Sequence, residues 1–134
     1  MIVDGIMTRE VVTVAPDTAL SDVRAQLHSG GFRHLLVVDE GALVGVISDR
    51  DVLRALSPFL DTYSEEHRDV RTLARPAHEI MRADPLTVTP ETDVEDAASL
   101  VLDHSISSLP VVKEGEIVGI VTTKDLLRHY TKEA

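Results

Sequence analysis

The chain repeats itself. Sliding it by 74 residues aligns 6–55 with 80–129 without a gap, and 17 of those 50 positions are identical. Among them are Ile6/Ile80, Met7/Met81, Thr13/Thr87, Pro16/Pro90, Gly41/Gly115, Gly45/Gly119 and Asp51/Asp125. An ungapped repeat constrains architecture before any local propensity does, because both copies must form the same supersecondary unit. One copy of about 50 residues is close to the size at which a hydrophobic core is marginal. The two copies are therefore expected to pack on each other within one domain of 134 residues. The boundaries read as a first repeat over 1–58, a connector over 59–76 and a second repeat over 77–134.

Each copy carries the same order of signals. In the first, residues 11–14 around Thr13 read as a short strand stopped by Pro16. Residues 18–31 read as a helix, with Leu20, Val23 and Leu27 on one face, Asp17 or Thr18 as N-cap and Gly30-Gly31 as the stop. Residues 35–38 and 43–47, split by Glu40-Gly41, give a hairpin signal. Residues 51–56 start a second helix, ended by Pro58. Residues 61–76 mix charges of both signs and read as a solvated helix or loop crossing between copies.

The second copy follows suit. Thr87-Val88 with Pro90 is the strand and stop, and Thr92-x-x-Glu95 reads as a capping box. Val94, Ala97, Ala98, Val101 and Leu102 form a helical apolar stripe. Residues 109–112 and 117–121 are the hairpin around Gly115. Residues 125–130 form the last helix, and 131–134 are expected to fray. Each unit therefore reads β-α-β-β-α.

Composition narrows the function. With two Phe, two Tyr and no Trp, the core must be built from Val, Leu, Ile and Ala. No cysteine is present, so there is no thiolate nucleophile, thiolate metal site or disulfide framework. No apolar run approaches the roughly 20 residues that span a membrane, and no basic start leads into an apolar stretch. A cytoplasmic location is expected. The net charge of −10 makes duplex DNA and anionic membranes poor partners. A small anionic ligand needs local basic residues.

The polar step that closes each copy, Ser48-x-x-Asp51 and Thr122-x-x-Asp125, reads two ways. Such spacing ahead of an apolar run caps a helix and needs no ligand. Equally, a helix start offers N–H groups to a phosphate, and a carboxylate offers two acceptor oxygens to the vicinal hydroxyls of a ribose. Arg50 and Lys124 directly precede the two aspartates, and Arg33 and His34 precede the first hairpin. The second copy has Ser107 and Ser108 there, so two phosphate sites would not be equivalent. His28, His67, His78, His104 and His129 show no ligand spacing, and no metal site is expected. No Gly-rich phosphate loop and no nucleophile with a base is present.

Three motifs mark the repeat, two of them present in register in both copies. They are Ile-Met followed by Thr-Val-x-Pro-x-Thr (Ile6-Met7 with 13–18, Ile80-Met81 with 87–92), Leu-Pro-Val-Val at 109–112, and Gly-h-h-[Ser/Thr]-x-x-Asp at 45–51 and 119–125. Together they resemble a tandem pair of cystathionine-β-synthase (CBS) domains, the Bateman module. The resemblance covers nearly everything except 56–76 and the last few residues. It implies an α+β fold of two βαββα repeats packed about a pseudo-twofold axis, with two clefts between them. It also implies a sensor of adenosine-containing ligands: AMP, ADP or ATP, less often S-adenosylmethionine or a dinucleotide such as NAD. Carried over by position, Asp51 and Asp125 would hold ribose hydroxyls, with Ser48 and Thr122 facing the ligand beside them. Arg33, His34, Arg50 and Lys124 match phosphate partners, and Val11, Pro85 and Leu86 match the adenine surroundings. The chain departs from the family where Leu36 replaces a proline and where Ser107-Ser108 removes positive charge.

The expected function is a non-enzymatic regulatory module that binds an adenine nucleotide and forms a homodimer. It needs no obligatory cofactor, and its output passes through an effector protein or through change in the dimer. The alternative is a dimerisation or protein-interaction module with the same fold and no ligand.

Overall fold

The computed structural model describes residues 1–30, 32–56, 60, 62 and 65–132, with Arg68 described by its backbone alone. The chain is mixed α+β and divides into two compact units, Val12–Asp84 and Met1–Val11 together with Pro85–Ala134.

The unit Val12–Asp84 holds β1 (Thr13–Val14), α1 (Leu20–Gly30), β2 (His34–Asp39), β3 (Ala42–Ser48), α2 (Asp49–Ala55), α3 (His67–Arg71), α4 (Ala77–Ile80) and β4 (Arg82–Ala83). Its sheet runs β1-β2-β3-β4, with β1 parallel to β2 and the other pairs antiparallel. The β2–β3 loop is two residues long because Glu40 (φ +48°) and Gly41 (φ +82°) both adopt left-handed backbone. That turn matches the twist of its strands. Leu35, Val37 and Ile47 point to one face of the hairpin. There they join Leu20, Val23 and Leu27 of α1, Val52 of α2 and Ala77 of α4 in a core of buried side chains.

The second unit contains a 3₁₀ turn (Val3–Gly5), α5 (Val94–His104), β5 (Ser108–Lys113), β6 (Glu116–Thr122) and α6 (Thr123–Lys132). Glu114 (φ +51°) and Gly115 (φ +81°) repeat the hairpin turn. The two hairpins also share a register irregularity, at Val37/Val38 and Val111/Val112. Val88 bridges Val111 in parallel and Thr8 bridges Ile120 antiparallel, reproducing the flanks of the first sheet as single bridges. The core is Val3, Met7, Val94, Ala97, Val101, Leu109, Val111, Val121 and Leu126.

The units do not follow the order of the repeats. The Ile-Met lead-in ahead of each copy packs on the hairpin of the other copy. Ile6 and Met7 join the core of the second hairpin, and Ile80 and Met81 pack against the core of the first. This explains the glycine of each Gly-h-h-[Ser/Thr] motif. A Cβ on Gly119 would lie 2.8 Å from the Thr8 carbonyl oxygen, and one on Gly45 would lie 3.1 Å from that of Arg82 and press into Met81.

Three local expectations need correction. Thr92 does not cap α5, whose N-cap is Asp93 without a side-chain bond. Instead Thr92 Oγ1 accepts from the Thr89 amide at 3.0 Å, closing a turn in which Pro90 sits second. Thr18 does the same, accepting from Ala15 at 3.0 Å around Pro16. Neither helix needs the threonine, because backbone carbonyls satisfy their starts: Arg75 accepts from Leu20 at 2.8 Å, and Met1 accepts from Val94 at 3.0 Å. Leu102 leaves the apolar stripe and is 78% exposed.

In the connector, α3 carries a buried Asp69 that accepts from the Glu66 amide at 2.7 Å, so this stretch is more than a solvated crossing. Gly31, Pro58 and residues 133–134, expected as helix stops and frayed end, lie outside the described residues. Thr131 and Lys132 continue α6.

Candidate functional site

The polar step lies where the last strand of each hairpin becomes a helix. Ser48, in extended backbone, caps α2: the Asp51 amide donates to Ser48 Oγ at 3.2 Å, and the Ser48 amide donates to Asp51 Oδ2 at 2.8 Å. Thr122 and Asp125 repeat this at α6 with 3.2 Å and 3.0 Å. The capping reading of the step therefore holds in both copies. Beside it, the Asp49 amide donates to the Arg33 carbonyl at 2.9 Å and the Thr123 amide to that of Ser107 at 3.0 Å. Two amides of each first turn are thereby committed within the chain.

The structure brings several of the candidate residues together. His34 pairs directly across the hairpin with Ser48, and Ser108 with Thr122, so each pair shares a face of its sheet. That face is opposite the helix-packed one. Arg33 enters β2 one residue ahead of His34, and Arg50 lies in the first turn of α2, both exposed. The first unit thus gathers Arg33, His34, Ser48, Arg50 and Asp51 around one step. At the second step Lys124 is the corresponding exposed cation and Ser108 is buried. Val11, Pro85 and Leu86 all belong to the second unit. Val11 and Pro85 are half-buried and Leu86 is 40% exposed.

Two residues that the motifs did not single out also reach the steps. Thr8 Oγ1 lies 3.2 Å from Asp125 Oδ1 and 3.2 Å from Oδ2. Arg128 Nη1 stands 3.8 Å from Asp125 Oδ1, and the carboxylate is only 6% exposed. The repeat aligns Thr8 with Arg82, which occupies the same place beside the first hairpin, paired with Val46. Among the described residues Arg82 makes no bond to Asp51, and Asp51 Oδ1 has no protein donor. The alignment of the two lead-ins carried this signal, but only the shared strand pairing gives it meaning.

Concavities within the units lie on helix faces. A cavity of about 340 Å³ borders α6, lined by Met1, Gly5, Ile6, Asp125, Arg128, His129 and Lys132. One of about 350 Å³ lies between α1 and α2, lined by Leu27, Phe32, Val52, Leu53 and Leu56 with Arg24, His28 and Asp49. Among the described residues, no group of three His, Asp or Glu could hold a metal ion.

Comparison with known proteins gives the same architecture. The sequence profile described as the CBS domain matches twice, over 3–58 and 77–132. An uncharacterized protein, MJ1225, of Methanocaldococcus jannaschii is 33% identical over 131 residues, covering 96% of this chain. The chain spans 47% of that relative's length. Among solved structures, the CBS domain pair of protein MJ0100, in complex with 5′-methylthioadenosine and S-adenosyl-L-methionine, superposes with a TM-score of 0.83. Its identity is 25%, over 100% of this chain and 98% of that one. CBSX2 in complex with AMP gives 0.77 at 28% identity, over 98% and 97% of the two chains.

Proposed function

This chain belongs to the CBS-domain family, and from that membership we propose that it is a regulatory module that senses an adenosine-containing nucleotide and catalyses nothing itself. The ligand is AMP, ADP or ATP in preference to S-adenosylmethionine or NAD. The observation that carries this reading is the duplicated step. A capped carboxylate is held in one orientation at the end of a hairpin, and two fixed oxygens match the vicinal hydroxyls of a ribose. The aspartate of a step, Asp51 or Asp125, is the ribose acceptor wherever that step binds, with Ser48 or Thr122 beside it. Arg33, His34 and Arg50 are the phosphate partners at the first step, and Lys124 is the cation at the second. Val11, Pro85 and Leu86 are assigned to the adenine. Relatives of the same fold bound to AMP and to S-adenosyl-L-methionine support the ligand class.

Binding regulates only if the ligand favours one arrangement of the protein over another. The proposed readout is a homodimer that changes with ligand, or an effector protein docked on it, in the cytoplasm. No helix among the described residues is long and apolar enough to cross a membrane. A second reading, an interaction module without ligand, draws on Leu53 and Leu127. They occupy the same repeat position and are 71% and 60% exposed.

Thermal unfolding of stripped protein with AMP, ADP, ATP, S-adenosylmethionine and NAD tests the proposal. Ligand at 100 times its dissociation constant adds about 2.7 kcal/mol, or about 7–15 °C for a chain of this size. A rise with one adenosine compound, lost in an Asp51→Ala variant, supports a sensor. No rise at millimolar concentration with any of the five supports the interaction module.

A further inference from the structure

We infer that the two steps have divided their roles: Asp51 takes the ligand, and Asp125 is closed by the chain's own Thr8. The inference rests on the proposal that the carboxylate of such a step receives a ribose. A ribose presents its hydroxyls to the fork of a carboxylate, and at Asp125 that fork is filled. Thr8 Oγ1 sits 3.2 Å from both oxygens, where a sugar hydroxyl would otherwise stand. The Thr122 amide takes Oδ2 at 3.0 Å, and Arg128 covers Oδ1 from the helix side at 3.8 Å. The cavity along α6 is lined by Asp125 and Arg128 side by side. The carboxylate is 6% exposed, so a ribose reaches it only by displacing Thr8.

Asp51 shares the amide bond but, among the described residues, lacks the other two contacts. The Ser48 amide takes Oδ2 at 2.8 Å, while Oδ1 has no donor among the described residues. Where the second unit has Thr8, the first has Arg82, exposed and bonded to no carboxylate of the step. Arg82 adds a fourth basic residue to Arg33, His34 and Arg50 on this side. The second step has Ser107 and Ser108 where the first has Arg33 and His34, and Thr8 where the first has Arg82. Charge and vacancy thus favour the same step, and the chain takes one anionic adenosine ligand, with Arg82 among its phosphate partners.

Isothermal titration with AMP and, separately, S-adenosylmethionine tests this on the full chain and on Thr8→Ala, Thr8→Ser, Asp51→Asn and Asp125→Asn. The wild type should bind one equivalent per chain. Asp51→Asn should weaken binding about ten-fold or more, the loss of a charged hydrogen-bond acceptor, and by more than Asp125→Asn does. Arg82→Ala should weaken AMP. Thr8→Ala should add a second equivalent, and Thr8→Ser, which keeps the hydroxyl, should not. Thr8 lies on the surface, so its variants keep the fold even where Asp125→Asn does not. Two equivalents in the wild type, binding lost through Asp125 but not Asp51, or a single equivalent in Thr8→Ala would overturn the division of roles while leaving the nucleotide proposal standing. No binding of either compound to any variant overturns both.

Discussion

Thr8 and Asp125 are 117 residues apart, yet the threonine hydroxyl stands 3.2 Å from both oxygens of the aspartate. The contact joins the N-terminal segment to the start of α6 and makes Asp125 the more committed of two otherwise equivalent carboxylates. Asp51→Ala removes one capping box and is expected to cost about 0.5–2 kcal/mol. Asp125→Ala also removes the Thr8 hydrogen bond, and is expected to cost about 0.5–1.5 kcal/mol more. The exposed Arg128 adds little to this difference. Urea denaturation of the two variants measures it, and equal midpoints would contradict the asymmetry.

The glycines that admit the lead-ins should also differ. At Gly119 an added methyl meets the Thr8 backbone, which cannot move away alone. At Gly45 the nearest obstacle is the flexible Met81 side chain. Both alanine variants should be destabilised by overpacking, by about 1–3 kcal/mol, with Gly119→Ala at the upper end. Thermal melts rank them, and a milder Gly119→Ala would show that the lead-in is not packed there as described.

Glu40 and Glu114 occupy left-handed backbone at φ +48° and +51°. A side chain with a Cβ is disfavoured there, and asparagine tolerates it better. Glu40→Asn and Glu114→Asn should each stabilise the protein by about 0.5–1 kcal/mol, and the effects should add because the turns belong to different hairpins. Unfolding midpoints of the single and double variants check this.

Leu53 and Leu127 lie on the second helices of the two copies, largely exposed. If they bury against a second copy of the chain, Leu53→Lys with Leu127→Lys should convert a dimer into a monomer in light scattering. The monomer's far-UV spectrum should be unchanged. A dimer that survives both changes places its interface elsewhere.

Much of this structure was readable in the sequence because it is periodic or repeated. The hairpins followed from short Val- and Leu-rich runs around Glu-Gly, and the two steps from Ser-x-x-Asp and Thr-x-x-Asp. What escaped depended on long-range pairing. Thr18 and Thr92 read as helix caps, but the carbonyls that satisfy those helices come from Arg75 and Met1, each far from its helix in sequence. Leu102 fitted a helical stripe whose edge turns out to face solvent. Thr8 and Arg82 were aligned by the repeat from the start. Their difference became informative only once each lead-in was seen beside the hairpin of the other copy.

A crystal structure of the protein grown with AMP tests the central claim most directly. The account predicts one nucleotide per chain, its ribose hydroxyls within hydrogen-bond distance of Asp51 and its phosphate beside Arg33, His34, Arg50 and Arg82. Thr8 should still rest on Asp125. A nucleotide seated on Asp125 with Thr8 displaced, or bound away from both aspartates, would contradict it.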